Sequence, residues 1–475
     1  MPGASAGRCH DPWVVEFPDA VALAARAGFV LGANTNGRTG AIRPAAALYP
    51  HQWSWDTAFI AIGLAGVDPA RACKELDLLF AGQWGNGMVP HIVFSPDAEG
   101  YFPGPDRWAC AELTPLAPRE PLTSGICQPP VHAIAAVKIL DEAGRGGPEA
   151  VAEPREWLAG FYPKLVAWHR FLARERTDPA TGLVWILHGW ESGMDNSPRW
   201  DRPYSAVRVP GTLPPYVRRD LAHVADAAQR PSREEYDRYL WLVEEEKQAH
   251  YDQAALAVSS SFRVGDVFFS AIFAAANESL AQLADLLGAP EAAELRSYAD
   301  VARAAVLAQA DPETGLAADL DLRTGQRLST KTETETGTVA GFAPLIAGGA
   351  PRPLHDQLLA ALFSPCWAGD PRMRWALPPS TSTCSSGFRP RTYWRGPVWP
   401  VVNWLLSWSL LRAGEKTAAG ALRQAGLSQL AVAGDSGGGE FAEYYEPFTG
   451  EPLGSLSHSW TAAVALEWLG DDWGA

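Results

Sequence analysis

Three loops of the sequence combine carboxylates with aromatic side chains, a mixture suited to acid–base chemistry. The densest is the segment 185–201, in which Asp195 follows the apolar Met194. A carboxyl group in apolar surroundings keeps its proton to higher pH, because burial disfavours the charged form. Asp195 is therefore a candidate general acid. The alternative interpretation is structural: Asp195 caps a turn and Glu191 pairs with Arg199.

The second loop, residues 437–451, offers the base that would work with such an acid. Glu443 lies between aromatic residues, and a run of three glycines before it permits a close approach of the backbone. A carboxylate held there can accept a proton as general base. Glu440 and Glu446 share the loop, and residue chemistry alone does not choose among the three acids.

Tryptophan is unusually frequent, with 20 residues in a chain of 475. Its flat apolar face stacks on the C–H face of a sugar ring, and its indole N–H can bond a hydroxyl group. The third loop, 49–56, places Trp53 and Trp55 beside Asp56, just before a predicted helix. Asp56 can cap that helix while its free oxygen faces a sugar. A further aromatic loop, 393–400, would add a stacking wall.

The overall composition excludes several classes of protein. The net charge of -15 is spread along the chain, so an extended phosphate-binding surface is not expected, and nucleic acid is not an expected partner. No apolar run approaches the roughly 18 residues of a membrane span, and residues 1–8 lack the apolar core of a signal peptide. The chain is therefore expected to be cytoplasmic, with no membrane partner.

Neither the cysteines nor the acids indicate a metal or a cofactor. The six cysteines are widely separated and form no CxxC motif, which argues against a disulfide framework and a zinc site, so all six are expected to be reduced. Asp319 and Asp321 could ligate an ion, but solvent exposure is the expected state of both side chains. The sequence leaves the oligomeric state open and is compatible with a homo-oligomer.

The elements that must position these loops are helices. Apolar residues recur with helical spacing over the segments 58–66, 69–80, 129–143, 157–176, 233–257, 264–287, 290–308, 353–362, 397–413 and 457–468. Short strands are predicted at 182–187 and in a hairpin of 315–321 with 326–328. We therefore expect one all-α domain over residues 1–475, with β-hairpins and long loops at one rim and a loop or lid at 203–231.

Three motifs resemble signatures of glycoside hydrolase family 63. They are Trp-Glu-Ser-Gly-Met-Asp-Asn-Ser-Pro at 190–198, Tyr-Trp-Arg-Gly-Pro-Val-Trp at 393–399, and Phe-Ala-Glu-Tyr-Tyr at 441–445 with Pro-Phe-Thr-Gly at 447–450. Within the family, the chain is most similar to the bacterial enzymes that hydrolyse mannosylglycerate and glucosylglycerate, and segments 49–56 and 234–241 share that similarity. The resemblance implies an (α/α)6 barrel that releases glucose or mannose from such an α-glycoside, with inversion.

The resemblance also implies roles for individual residues. Asp195, in the Ser-Gly-Met-Asp-Asn motif, would be the general acid, and Glu443, before the paired tyrosines, the general base, with the two carboxyl groups about 6.5–9.5 Å apart. The sugar and aglycone would be bound by Tyr49, Trp55, Asp56, His91, Tyr101, Gln128, Trp190, Tyr236, Tyr393, Trp394, Gly396, Trp399 and His458. A glycerate carboxylate would need cationic partners, for which Arg218, Arg219 and Arg230 are candidates.

Three other functions are consistent with parts of the sequence. One is hydrolysis of a neutral α-linked disaccharide. Another is sugar epimerisation on a similar helical barrel, which would need paired histidine acids and bases that the ten histidines do not evidently supply. The third is non-catalytic sugar binding, against which the presence of both Asp195 and Glu443 in their motifs argues.

Overall fold

The computed structural model describes residues 20–98, 100–211, 213–218, 230–328, 337–435 and 441–470. Within these residues the chain is mainly helical, which confirms the prediction made from the apolar spacing. The helices are α1 (Ala20–Asn34), α2 (Ser54–Ala65), α3 (Pro69–Phe80), α4 (Pro105–Trp108), α5 (Cys110–Leu113), α6 (His132–Arg145), α7 (Pro148–Glu175), α8 (Asp201–Ala206), α9 (Arg233–Gln248), α10 (Gln253–Ser259), α11 (Val267–Leu287), α12 (Ala292–Ala308), α13 (Ala343–Ala347), α14 (Arg352–Leu362), α15 (Pro400–Arg412), α16 (Lys416–Asp435) and α17 (Ser459–Leu469).

Short antiparallel strands tie the loops together. They are β1 (Gln52–Trp53), β2 (Ile92–Val93), β3 (Trp185–Ile186), β4 (Val264–Gly265), β5 (Leu320–Asp321), β6 (Gln326–Arg327), β7 (Tyr444–Tyr445) and β8 (Pro452–Leu453). β1 pairs with β2, β3 to β6 form one four-stranded sheet in chain order, and β7 pairs with β8. The predicted strand and hairpin are therefore present, in shortened form, as β3, β5 and β6.

Within the described residues, six helices contact one another in a closed circuit. α2 contacts α6, α6 contacts α11, and the circuit continues through α13, α15 and α17 back to α2. Helices α1, α3, α7, α12, α14 and α16 each pack against at least one member of this circuit. Every residue of α2 is buried, and α11, α15 and α17 are buried on almost all sides. A helix that is apolar all round belongs inside a core, so the sequence itself favours this arrangement.

Local signals set the ends of these helices. α3 begins at Pro69, directly after Asp68, whose side chain accepts a hydrogen bond from the amide of Arg71. Proline suits the first helical position, and aspartate satisfies an amide that has no partner within the helix. The helix therefore has the predicted bounds. Asp266 caps α11 in the same way, by accepting hydrogen bonds from two amides of its first turn.

Departures from the predicted helices have local causes. The predicted helix 233–257 is broken into α9 and α10, because His250 and Tyr251 have φ angles of 52° and 60°, which a right-handed helix excludes. The helix predicted at 157–176 begins earlier, at Pro148. α1 and α16 lie outside the predicted set, since many of their residues are alanine, which weakens the contrast between an apolar and a polar face.

The expectation that all cysteines are reduced is wrong for one pair. Cys366 and Cys384 form a disulfide, whereas Cys73, Cys110 and Cys127 are free and buried. The chain between the paired residues folds back, so that the amide of Thr383 donates a hydrogen bond to the carbonyl of Cys366. Spacing along the sequence does not reveal such a contact. Cys9 lies outside the described residues.

The expected solvent exposure of Asp319 and Asp321 is also wrong. Both side chains are buried, because β5 packs beside β4. Asp319 accepts hydrogen bonds from the Arg199 guanidinium at 2.9 Å and from the amide of Val267 at 3.0 Å, so it helps to fix the start of α11. Asp321 binds the amide of Arg323 in the following turn.

By length and composition alone, one helix of the described chain, α11, could cross a membrane, although Asn277 and Glu278 interrupt its apolar run. Most of that stretch is buried inside the protein, as the central helix of a folded core is.

The loop predicted at 203–231 is partly helical, since its first residues belong to α8. Beyond α8, residues 207–211, 213–218 and 230–231 have neither helix nor strand, and residues 212 and 219–229 lie outside the described residues.

Candidate active site

A cavity of about 700 Å³ collects the loops that the sequence analysis singled out. Among its lining residues are the following of the predicted set: Tyr49, Trp55, Asp56, His91, Tyr101, Gln128, Trp190, Asp195, Tyr236, Tyr393, Trp394, Glu443 and His458. The loop before α2, the loop after β3, the segment before α15 and the segment before β7 thus converge on one site. Its size suits a small ligand such as a disaccharide.

Gly396 and Trp399 lie behind the cavity wall rather than on it. The Trp399 ring stacks on Trp394, with centroids 3.6 Å apart and planes 5° from parallel, and its indole N–H donates to the carbonyl of Tyr393. A Cβ at Gly396 would lie 2.3 Å from the Arg389 carbonyl oxygen, so this position has no room for a side chain. Both residues therefore support the wall that Trp394 presents.

Asp195 is held by a tight turn. The preceding Gly193 has a φ of 72°, and a Cβ there would lie 2.5 Å from the Trp55 ring, so glycine alone fits. Asp195 is half-buried at the cavity wall, and burial raises the pKa of its carboxyl group to about 7, with Arg230 opposing the shift and Glu443 adding to it. Asp195 can therefore hold a proton near neutral pH.

Glu443 has a different environment. Its Oε1 accepts a hydrogen bond of 2.8 Å from the Tyr49 hydroxyl, and its Oε2 accepts one of 3.1 Å from the amide of Ser455. Burial raises the pKa of Glu443, while Arg230, whose Nη2 lies 3.8 Å from Oε2, and these hydrogen bonds lower it. Donors that point at both oxygens favour the carboxylate form, so Glu443 is equipped to accept a proton.

The geometry also distinguishes Glu443 from its neighbours. The Glu446 side chain accepts hydrogen bonds from the amides of Phe448 and Thr449 and closes a turn away from the cavity lining. Glu440 lies outside the described residues.

Asp56 brings a third carboxyl group to the cavity, but it is not the helix cap that the sequence suggested. Trp53 occupies the N-cap position of α2 and makes no capping bond with its side chain, whereas Asp56 lies within the first turn. Burial, the Glu443 carboxylate and Asp195 all raise the pKa of Asp56. Because like charges repel, ionisation of all three neighbouring carboxyl groups is unfavourable, and this favours protonation of some of them.

Arg230 is the buried cation that faces these acids. Its Nη1 donates to the Tyr49 hydroxyl at 3.1 Å, and its guanidinium lies 4.7 Å from the centre of the Tyr393 ring. Arg218 also lines the cavity, with its guanidinium 4.1 Å from the centre of the Tyr236 ring. Arg219 lies outside the described residues. Two of the three predicted cationic partners thus lie where an anionic ligand could reach them.

The remaining predicted residues form the polar and aromatic lining. Gln128 Oε1 accepts a hydrogen bond from the amide of Trp55, and Tyr236 donates its hydroxyl hydrogen to the carbonyl of Phe102. The pKa values of His91 and His458 are lowered by burial, so both rings are neutral near pH 7. The Trp190 ring is half-buried and stacks near His91, with centroids 6.4 Å apart.

The alternative interpretation of segment 185–201, in which Glu191 pairs with Arg199, is wrong about that ion pair. Glu191 pairs with Arg176, while Arg199 pairs with Asp266 and Asp319. These partners come from other elements, and sequence proximity does not reveal them.

Sequence reasoning did not assign several lining residues to the site: Asn36, Arg43, Trp53, Asp97, Tyr239 and Trp460. Tyr239 carried a usable signal, because it follows Tyr236 by three positions on α9 and so shares its face. Trp53 stood in a loop already singled out. Asn36 and Arg43 belong to a loop without unusual composition, and no sequence pattern indicates them.

The fold and the site together define a class of protein. Hydrolysis of a glycosidic bond needs one carboxyl group that gives a proton and one carboxylate that receives it, beside surfaces that bind a sugar. The cavity brings two carboxyl groups in contrasting environments, Asp195 and Glu443, together with tryptophan side chains within a closed helical circuit. The class is that of the glycoside hydrolases.

Comparison with known proteins gives the family. A sequence model described as the mannosylglycerate hydrolase MGH1-like glycoside hydrolase domain matches residues 49–461. The chain belongs to this family, within glycoside hydrolase family 63.

The similarity to individual relatives covers almost the whole of this chain. It is 50% identical over 450 residues to glucosylglycerate hydrolase of Mycolicibacterium hassiacum, covering 94% of this chain and 98% of the relative. It is 41% identical to mannosylglycerate hydrolase of Thermus thermophilus, covering 91% and 97%. A crystal structure of a family 63 mannosylglycerate hydrolase from Thermus thermophilus, in complex with Tris and D-glycerate, matches with a TM-score of 0.82 at 39% identity and covers 94% of this chain and 99% of that one.

Proposed function

We propose that this glycoside hydrolase cleaves an α-glycoside of glycerate, glucosylglycerate or mannosylglycerate, into the free sugar and glycerate. The observation that carries the proposal is the pair of carboxyl groups with contrasting environments in one cavity, facing a buried guanidinium. Burial raises the pKa of Asp195 to about 7, and Glu443 accepts hydrogen bonds at both oxygens. The names of the relatives support glycerate as the aglycone.

In the proposed mechanism, Asp195 is the general acid and Glu443 the general base. Asp195 gives its proton to the glycosidic oxygen as the bond to the anomeric carbon breaks. Glu443 takes a proton from a water molecule that attacks that carbon from the opposite face, so the configuration is inverted. One water is consumed, and the sugar leaves with the water's oxygen. The mechanism expects about 6.5–9.5 Å between the two carboxyl groups.

The walls of the cavity suit the two halves of the substrate. Trp55, Trp190 and Trp394 offer ring faces and indole groups for the sugar. Arg230 and Arg218 can pair with the carboxylate of glycerate, since a charge-assisted hydrogen bond is roughly twice as strong as a neutral one. The higher identity to a glucosylglycerate hydrolase supports glucosylglycerate as the first substrate to test.

We further propose that the circuit of helices is an (α/α)6 barrel in a single domain. The closed order α2, α6, α11, α13, α15, α17 supports it, as do the outer helices that pack on these members. In such a barrel, loops far apart in sequence meet at one end of the ring, as the loops of Asp195 and Glu443 do at the cavity.

The proposal is tested with glucosylglycerate and with glucosylglycerol, which has the same reach but no carboxylate. The expected result is a much higher kcat/KM for the acid in the wild type, and a loss on the order of 10- to 100-fold, for the acid alone, in Arg218→Ala. Asp195→Asn and Glu443→Gln should each lower turnover by several orders of magnitude while the protein stays folded. Equal rates for acid and alcohol in the wild type would favour a neutral α-disaccharide instead.

A further inference from the structure

A buried ion pair lies behind the loop that carries Asp195. The side chains of Glu191 and Arg176 are 0% and 1% exposed, with Arg176 Nη2 2.9 Å from Glu191 Oε1 and Nη1 3.0 Å from Oε2. The pairing is therefore bidentate, a geometry that fixes orientation as well as distance. Since desolvation offsets most of the attraction in such a pair, its effect on stability alone is small. The other contacts of the Glu191 carboxylate therefore indicate its role better than the ion pair itself does.

The Glu191 carboxylate also binds two backbone amides from different segments. Oε2 accepts a hydrogen bond of 2.6 Å from the amide of Leu187, and Oε1 accepts one of 3.2 Å from the amide of Cys127. Leu187 follows strand β3 and opens the loop that leads to Asp195. Cys127 precedes Gln128, whose side chain reaches the cavity. One carboxylate thus joins two segments of the cavity wall.

The turn that follows Glu191 connects it rigidly to Asp195. The Glu191 amide donates to the carbonyl of His188, and the Ser192 hydroxyl donates to the carbonyl of Gly189 at 2.6 Å. The amide of Met194 in turn donates to the Ser192 hydroxyl at 2.9 Å. The backbone between Glu191 and Asp195 is therefore hydrogen-bonded at successive steps, and a displacement of Glu191 moves Asp195 and the adjacent Trp190.

We propose that Glu191, held by Arg176, is a positioning residue that sets the place of Asp195 and Trp190 relative to Gln128. The inference rests on the proposed role of Asp195 as general acid. Glu191 does not line the cavity and touches no reacting atom. It acts through the loop that it fixes, and small displacements of a catalytic group have large effects on rate.

The same cluster contains a matched control. Glu246 is buried beside the pair, and neither of its side-chain oxygens has a hydrogen-bond partner among the described residues. Burial, and then the negative charge of Glu191, hold the pKa of Glu246 well above its ordinary value. Glu246→Gln therefore introduces the same side chain beside the same pair without breaking a hydrogen bond to a backbone amide.

The experiment compares Glu191→Gln with Glu246→Gln on glucosylglycerate, with rates expressed per folded molecule. Glutamine has one acceptor oxygen and cannot hold both amides and the guanidinium, so Glu191→Gln should lower kcat about 10- to 100-fold. The alkaline limb of its pH–rate profile should also move to lower pH, because a loosened Asp195 becomes more solvated and its pKa falls. Glu246→Gln should match the wild type in both measurements.

A purely structural role would lower the Tm of Glu191→Gln and leave kcat and the alkaline limb unchanged, and that result would overturn the inference. If Glu191→Gln does not fold, the double variant Arg176→Met with Glu191→Gln removes both charges and avoids an unpaired one. The same loss of kcat is expected from it, and wild-type kcat would again refute the inference. Asp195→Asn is measured in parallel: full activity there would overturn the proposed function, and this inference with it.

Discussion

The chemistry of single residues here is set by their surroundings. Asp56, Asp195 and Glu443 are all carboxylic acids at one cavity, and burial raises the pKa of each. Arg230 opposes that shift at both Asp195 and Glu443, and hydrogen bonds from the Ser455 amide and the Tyr49 hydroxyl oppose it further at Glu443. The proposed division between Asp195 as proton donor and Glu443 as proton acceptor therefore rests on hydrogen bonds and charge rather than on residue type.

The pH dependence of the rate follows from this division. In its proposed role as general acid, Asp195 must be protonated, and burial raises its pKa to about 7. We therefore expect kcat/KM for glucosylglycerate to fall as the pH rises through about 7, and to fall on the acid side as Glu443 becomes protonated. The measurement is a pH–rate profile from pH 4 to pH 9 in a buffer of constant ionic strength.

The matched control is Asp97→Asn, which removes another aspartate at the cavity. Hydrogen bonds from Asn36 lower the pKa of Asp97, so this residue is already ionised throughout the alkaline limb. Its replacement should leave the limb in place. A rate that stays constant up to pH 9 in the wild type would contradict the role of Asp195.

The sequence predicted some of the important residues but not the contacts that they make. The motifs pointed to Asp195 and Glu443, yet the chemistry of the loop alone could not separate Glu443 from Glu446, because the difference is which side chain closes a turn. The alternative, structural interpretation of that loop paired Glu191 with Arg199, whereas its partner is Arg176. Ion pairs between distant segments depend on tertiary packing, and local spacing carries no information about them.

At the scale of elements, strong local signals made prediction reliable. The bounds of α3 follow from Asp68 and Pro69, whereas the break between α9 and α10 depends on two positive φ angles that no sequence pattern announces. The disulfide between Cys366 and Cys384 was missed for a similar reason. Its two residues meet because of how the loop between them folds.

Packing between α2 and α17 gives a prediction at this scale. A Cβ at Gly63 would lie 2.2 Å from the carbonyl oxygen of Ala463, so the two helices approach as closely as they do because Gly63 has no side chain. Gly63→Ala should lower the free energy of unfolding by about 1–3 kcal/mol, since the helices must move apart. Thermal or urea unfolding measures the change.

Gly160 in α7 provides the comparison, because a Cβ there has no atom within 4 Å. Gly160→Ala should raise stability by about 0.5–1 kcal/mol, since alanine is the better helix former. Equal effects of the two substitutions would show that close packing of α2 on α17 is not the reason for Gly63.

At the scale of the whole molecule, the closed circuit of helices explains how residues far apart in sequence work together. Asp195 follows β3 near the middle of the chain, and Glu443 precedes β7 near its end, yet both line one cavity. The resemblance seen in the sequence implied a ring of helices. It could not predict the order of contacts, which depends on how each helix packs on the next.

The stereochemistry of the product tests the central claim most directly. If Asp195 and Glu443 act as acid and base on opposite faces of the sugar, water adds in one step and no glycosyl-enzyme forms. Proton NMR during hydrolysis of glucosylglycerate should then show β-glucose first, with α-glucose appearing later by mutarotation. α-Glucose as the first product would contradict the account, because it requires retention through a covalent intermediate.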